Sequence, residues 1–241
     1  KVLSPDKKVL IPVAEAGCSL AESCDAAEFA AFKAKYPDHK VVSYVNTSVG
    51  VKALTDVCCP SSNALQVVES IPAEQPIIFA PDRNLGGYIR EKTGRKNMVL
   101  WDGACDVHEK FFVEGIEALK KEHPEAKVVV HPECKAEVTA LGDYVGSTAG
   151  ILEYCAQSEA DEFIVVTEAG ILAEMEKKLS AKRFIPAPSS CGKRCNECES
   201  MKMVTLENIA ACLESESPEV QLDEATRTAA EKAILNMVAI K

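Results

Sequence analysis

The sequence predicts an α/β protein of parallel sheets, arranged as three pseudo-threefold-related αβα lobes. Three observations predict it. Short β-branched runs alternate with amphipathic helical stretches, the signature of parallel strands joined by crossover helices. A stretch that begins as an apolar strand and ends at a cysteine occurs twice, at Val9–Cys18 and Val99–Cys105. A further strand runs into a third cysteine-bearing loop, Cys191-Gly-Lys-Arg-Cys195-Asn-Glu-Cys198.

The duplication extends beyond the cysteines. Cys18 and Cys105 are 87 residues apart, and Lys33–Asn46 laid on Lys120–Glu133 at that offset gives five identities in fourteen. Unrelated segments match at roughly one position in fifteen on composition alone. Ala53-Leu54-Thr55-Asp56 falls on Ala140-Leu141-Gly142-Asp143 in the same way. A fixed period of this kind is an internal repeat.

Taken in order, Val9–Val13 reads as a strand with nothing before it. If the period holds, roughly seventy residues of a first repeat precede Lys1. Ser19–Lys35 then reads as a helix and Lys40–Tyr44 as a strand. A short helix (Val51–Leu54) and a short strand (Val57–Cys59) follow, and Ser61-Ser62 caps the next helix. Pro76–Ala80, a helix from Asp82 to Lys92, and the strand into Cys105 complete one copy. The second copy runs through a helix at His108–Glu122, strands at Ala126–Val130, Tyr144-Val145, Glu162–Val166 and Arg183–Pro186, and the helices between them. Helices at Leu206–Leu213 and about 223–238 end the chain. The predicted domains are a first-lobe remnant, 1–20, completed by 205–241; a second lobe, 21–106; and a third, 107–204.

Composition narrows the function. The chain has 241 residues, 47% of them hydrophobic, enough for a sizeable core. A net charge of −10 with no basic cluster excludes nucleic acid and anionic membrane as partners. No run reaches the ~20 apolar residues of a membrane span. The start is neither a secretory signal nor an initiator methionine, and eleven cysteines without such a signal predict a reducing cytoplasm and metal or catalytic use.

Ligands of parallel α/β lobes bind outside the carboxyl ends of the strands. That placement brings Cys18, Cys105 and one loop cysteine to a shared point. Asp106 and Ser19 read as helix N-caps, closed into capping boxes by Glu109 and Glu22. A cysteine at such a junction is expected to favour its thiolate. Three thiolates suit a [4Fe–4S] cluster with one iron lacking a protein ligand, or zinc with an open position. The loop alone also fits a redox pair or structural zinc. Tyr44-x-Asn46 matches His131-x-Glu133 at strand ends. Ser61-Ser62 and Ser147-Thr148 stand in corresponding places, either as simple caps or as anion binders. His108, three residues after Cys105, either reaches the site or packs.

Several segments carry a resemblance: Ser43–Ser48, Ala53–Asn63, Phe79–Gly86, Trp101–Glu109, Val130–Cys134 and Val166–Glu168. Through them the chain resembles the quinolinate synthase (NadA) family over essentially its whole length. The resemblance implies a [4Fe–4S] cluster on a central threefold axis. It implies condensation of iminoaspartate with dihydroxyacetone phosphate to quinolinate, with loss of phosphate and two waters, in de novo NAD biosynthesis, and a functional link to the L-aspartate-oxidising enzyme that supplies iminoaspartate. Carried over by position, the cluster ligands are Cys18, Cys105 and Cys198. Tyr44, Asn46, Ser61, His131, Glu133 and Thr148 contact substrate, with Glu133 as general acid/base, Tyr44 as its proton-transfer partner and His131 beside it. Ala149 departs from the family, which commonly has serine there.

The third ligand is contested. The internal period points to Cys191, 86 residues after Cys105; the resemblance points to Cys198, which precedes Met201. Cys198 is preferred, leaving Cys191 and Cys195, flanked by Lys193 and Arg194, as a reversible disulfide pair. Two other functions compete: a non-catalytic metal-stabilised scaffold or redox sensor, and an Fe–S enzyme like the diphthamide-synthesis proteins. The Tyr44-x-Asn46 and His131-x-Glu133 pairs favour a small dicarboxylate over a protein substrate.

Overall fold

A computed structural model describes residues 1–191 and 196–240. The chain opens with α1 (Ser19–Glu22) and α2 (Ala26–Lys33). Next come β1 (Lys40–Tyr44), α3 (Val49–Ala53), β2 (Val57–Cys59), α4 (Ala64–Glu69), β3 (Ile77–Ala80), α5 (Arg83–Thr93) and β4 (Met98–Leu100). The second copy begins with α6 (Asp106–Glu109) and α7 (Val113–Glu122). It continues through β5 (Lys127–Val130), α8 (Ala136–Thr139), β6 (Tyr144–Val145), α9 (Thr148–Gln157), β7 (Glu162–Val166), α10 (Ile171–Lys178) and β8 (Arg183–Pro186). The chain closes with α11 (Glu199–Lys202), α12 (Leu206–Ser215) and α13 (Glu224–Val238).

The strands form two four-stranded parallel sheets, ordered β2-β1-β3-β4 and β6-β5-β7-β8. Helices cover both faces, so alternate residues feed separate cores. Val42, Tyr44 and Phe79 pack on one side of the first sheet, and Val41, Ile78 and Ala80 on the other. Val128, Val130 and Ile164 oppose Val129, Phe163 and Val165 in the second.

The duplication holds at the level of single hydrogen bonds. Asp56 Oδ2 accepts the Val41 N–H at 2.7 Å, and Asp143 Oδ2 accepts the Val128 N–H at 2.8 Å. Val42 pairs with Phe79 across one sheet as Val129 pairs with Val165 across the other.

The structure corrects several sequence expectations. Val9–Val13 is no strand: with no sheet beside it among the described residues, it makes a single antiparallel bridge, Leu10 to Glu219. The described residues hold two sheets. The N-terminal segment is tied to the C-terminal part of the chain through the Arg227 Nη1–H bond to Val2 O (2.9 Å) and the Lys1–Glu219 pair (3.0 Å). Each helix expected after a cysteine is broken in two. Asp25 stops the first by capping α2, accepting from the Ala27 and Glu28 N–H groups. Nor are there capping boxes at Ser19 or Asp106, since Cys18 and Cys105 are themselves the N-caps. Glu109 turns away to Arg83 and Asn84. Asn63, not Ser61 or Ser62, occupies the N-cap of α4.

Candidate active site

The cysteines are positioned by a local pattern that occurs three times. Cys18, Cys105 and Cys198 each sit in extended backbone as the N-cap of a four-residue helix, α1, α6 and α11. Their carbonyls accept the N–H groups of Glu22 (2.9 Å), Glu109 (3.0 Å) and Lys202 (3.1 Å). In each case a longer helix begins eight residues after the cysteine, at Ala26, Val113 and Leu206. This places Cys198, not Cys191, in register with the other two. Cys198 is a free thiol, whereas Cys191 is disulfide-bonded. Cys195, named with it in the expected redox pair, lies outside the described residues.

One cavity of about 840 Å³ is lined by all three cysteines and by Tyr44, Asn46, Ser61, His131, Glu133 and Thr148. The first sheet supplies Tyr44 from the end of β1, with Asn46 and Ser61 on the loops beyond the strand ends. The second supplies His131 and Glu133 just past β5 and Thr148 at the start of α9. Ser147 caps α9 by accepting the Gly150 N–H at 3.2 Å, so the Thr148 hydroxyl is not consumed as the cap.

Glu133 is the hub. Its Oε2 lies 3.2 Å from His108 Nδ1 and its Oε1 3.7 Å from His131 Nδ1. The two imidazoles stack at 4.7 Å. The far nitrogen of His108, Nε2, is 3.0 Å from Thr167 Oγ1. The Glu133 N–H donates to His131 Nδ1 at 3.3 Å, which leaves the proton of a neutral His131 on Nε2. Tyr44 lines the same cavity beside Ser61 and Glu133.

A family description, "Quinolinate synthetase A protein" (NadA), matches residues 1–239. The chain belongs to the quinolinate synthase family. It is 50% identical over 238 residues to the quinolinate synthase of Microcystis aeruginosa, covering 99% of this chain and 74% of that protein. The Gloeothece citriformis quinolinate synthase is 52% identical over 230 residues, 95% of this chain and 71% of its own length. That of Synechocystis is 49% identical over 240 residues, 100% and 75% respectively. An enzyme of the quinolinate synthase type accounts for a cavity in which a carboxylate, two imidazoles, a phenol and three thiols converge.

Burial sets the electrostatics of this quinolinate synthase site. Desolvation pushes the Glu133 carboxyl up, but His108, His131 and the Tyr44 hydroxyl together outweigh it and hold it well below the usual carboxylate range. His131 is pushed down to about 4 by its own burial and by His108, against the pull of Glu133, so it is neutral near pH 7. Tyr44 is held far above the usual phenol range by burial and by the Glu133 charge, and so keeps its proton. The Cys105 thiol contradicts the sequence expectation of a thiolate. Burial and the Glu133 charge push it up to about 12, and the His108 and Val107 N–H groups only partly offset them. Deprotonating Cys105 therefore requires a bound cation or cluster.

The donors for a metal are of two kinds. Cys105, His108 and Glu133 bring ligand atoms within 4.8 Å of one another. The three cysteine sulfurs are not all within 4.8 Å of one another, although they line one cavity. A single zinc ion with bonds of ~2.3 Å draws its sulfurs to about 4 Å apart. His108 Nδ1 is sealed from solvent and faces Glu133 Oε2 at 3.2 Å without an in-line hydrogen bond.

The sequence reading did not foresee three participants: Thr167, Glu168 and Asp82. Thr167 holds His108. Glu168 binds the Cys198 backbone, its Oε1 accepting the Cys198 N–H at 3.1 Å. Asp82 is fully buried beside the site and raised to about 8 by burial and by Glu133. All three were visible only as members of the segments Val166–Glu168 and Phe79–Gly86. Among the described residues, no helix is long and apolar enough to cross a membrane.

Proposed function

We propose that the chain condenses iminoaspartate with dihydroxyacetone phosphate to give quinolinate, releasing phosphate and two waters, as a step of de novo NAD biosynthesis. The observation that carries this reading is the convergence of Glu133, His108, His131 and Tyr44 with three free cysteines on one cavity. Cys18, Cys105 and Cys198, three free thiols on one cavity, would hold a [4Fe–4S] cluster. When bound, the cluster supplies a Lewis-acidic iron without a protein ligand.

The remaining chemistry belongs to the chain. Neutral His131 offers its Nε2–H to a substrate oxygen. Asn46, Ser61 and Thr148 bind carboxylate or phosphate. Glu133 takes and returns protons at its carboxylate oxygens. Beside His108 and His131 it is a weak base, and entry of a dicarboxylate next to it raises its proton affinity. His108 steadies the carboxylate from 3.2 Å through its Nδ1 side, while Thr167 holds Nε2. Tyr44, protonated, passes a proton between Glu133 and the substrate.

The proposed domain division is the first-lobe remnant 1–20 with 205–241, then 21–106 and 107–204. The proposed setting is the cytoplasm, with iminoaspartate supplied by an L-aspartate-oxidising enzyme. The test is anaerobic: purified protein, reconstituted with iron and sulfide, is given dihydroxyacetone phosphate and freshly generated iminoaspartate. Quinolinate formed in proportion to bound iron supports the reading. An iron-loaded protein that makes none overturns it.

A further inference from the structure

The two sheets end in the same device. After β3, the Arg83 N–H donates to Gly103 O at 2.8 Å; after β7, the Ala169 N–H donates to Asn196 O at 2.9 Å. Each accepting carbonyl lies two residues before a cavity cysteine, Cys105 or Cys198. Each donor follows directly on an acidic residue, Asp82 or Glu168.

The acids occupy equivalent places. Glu168 Oε1 accepts the Cys198 N–H at 3.1 Å, and its Oε2 accepts the Gly170 N–H at 2.7 Å. Asp82 Oδ1 accepts the Leu85 N–H at 2.7 Å, while Oδ2 is sealed from solvent with no in-line donor.

We propose that Glu168 is a positioning residue, a carboxylate that claims the backbone N–H of Cys198 and so fixes the direction of its thiol, with Asp82 in the equivalent place before Cys105. This rests on the reading of Cys105 and Cys198 as cluster ligands for its purpose, but not for its geometry. A peptide N–H bound to a carboxylate makes a charge-assisted bond, stronger than one to a neutral carbonyl. It holds the cysteine backbone in its extended N-cap conformation before any metal arrives. It also keeps that N–H away from the sulfur, where hydrogen bonds shift a cluster's potential. Outer partners of this kind orient ligands. Lys202, 3.9 Å from Glu168 Oε1, balances the charge at the cavity wall.

Three measurements on the metal-free protein and one on the loaded protein test this. In the wild type, the Cys198 amide is expected to exchange with deuterium at least tenfold more slowly than the neighbouring loop amides. In Glu168→Ala, alkylation of Cys198 by iodoacetamide, read by peptide mass spectrometry, should quicken several-fold while alkylation of buried Cys212 is unchanged. Glu168→Gln keeps an acceptor oxygen and should restore most of the protection. After anaerobic reconstitution, Glu168→Ala should hold less than half the wild-type iron and Glu168→Gln close to all of it. Fast Cys198 amide exchange in the wild type overturns the proposal without any variant having to fold. So does a Glu168→Ala protein with wild-type alkylation and iron, or a Glu168→Gln protein indistinguishable from Glu168→Ala. Loss of quinolinate formation with iron and Cys198 protection intact would instead count against the proposed reaction alone.

Discussion

His108 Nδ1 lies 3.2 Å from Glu133 Oε2, and both side chains are almost wholly buried. The relationship links two elements from different places in the chain, the first turn after Cys105 and the loop beyond β5. It makes Glu133 a held carboxylate, not a free one. Glu133→Gln keeps the shape and removes the basicity. Quinolinate formation is expected to fall by on the order of 10²–10⁴, with iron content unchanged. Thr167→Val, which strips His108 Nε2 of its partner, should cost less and act on kcat more than on KM.

The buried pair also predicts how stability depends on pH. His131 titrates at about 4 in the folded chain against a usual 6.5. Its contribution is fully present above pH 6.5 and is lost as the pH falls toward 4, because the unfolded chain takes up the proton first. Glu133, held below its usual 4.5, loses its contribution as the pH falls through and below that value. Both act in the same sense. Metal-free protein should show a falling melting temperature between pH 6.5 and 4, and His131→Asn should flatten that slope. An unchanged slope in the variant would remove His131 as the cause.

The repeated N-cap pattern predicts the ligand set. Cys18→Ser, Cys105→Ser and Cys198→Ser should each lose the cluster, while Cys191→Ser should keep it. Iron and sulfide content after anaerobic reconstitution reads this directly. Loss of iron in Cys191→Ser with retention in Cys198→Ser would reverse the assignment.

Two adjacent glycines on α5 make opposite predictions. A Cβ on Gly86 would come within 2.8 Å of both Phe79 Cδ1 and Leu100 Cδ2, so α5 rests on its sheet through this position. A Cβ on Gly87 meets nothing within 4 Å. Gly86→Ala should destabilise by about 1–3 kcal/mol through overpacking. Gly87→Ala should stabilise by up to about 1 kcal/mol through helix propensity. Urea denaturation of the two variants side by side checks the contrast.

The sequence by itself determined the repeat, and with it most of the fold. Alternation of β-branched runs with amphipathic helices is a local property, and an 87-residue period carries its own register, so the equivalence of β1 with β5 was readable before any coordinates. The residues at the ends of those strands were readable for the same reason. Tyr44, Asn46, His131 and Glu133 were expected at one place, and all four line the cavity.

Tertiary structure decided what depends on neighbours distant in sequence. Val9–Val13 has the composition of a strand, but a strand exists only against a sheet, and what it finds among the described residues is a single antiparallel bridge, Leu10 to Glu219. A cysteine at a helix start reads as a thiolate, yet burial beside Glu133 holds Cys105 as a thiol, because desolvation outweighs a few peptide dipoles. His108 was ambiguous in one dimension. Only folding sets it between Glu133 and Thr167, 25 and 59 residues away in the chain. Cys191 and Cys198 separate in the same way: Cys198 caps a short helix as Cys18 and Cys105 do and lines their cavity, a placement that spacing counted through a loop does not show.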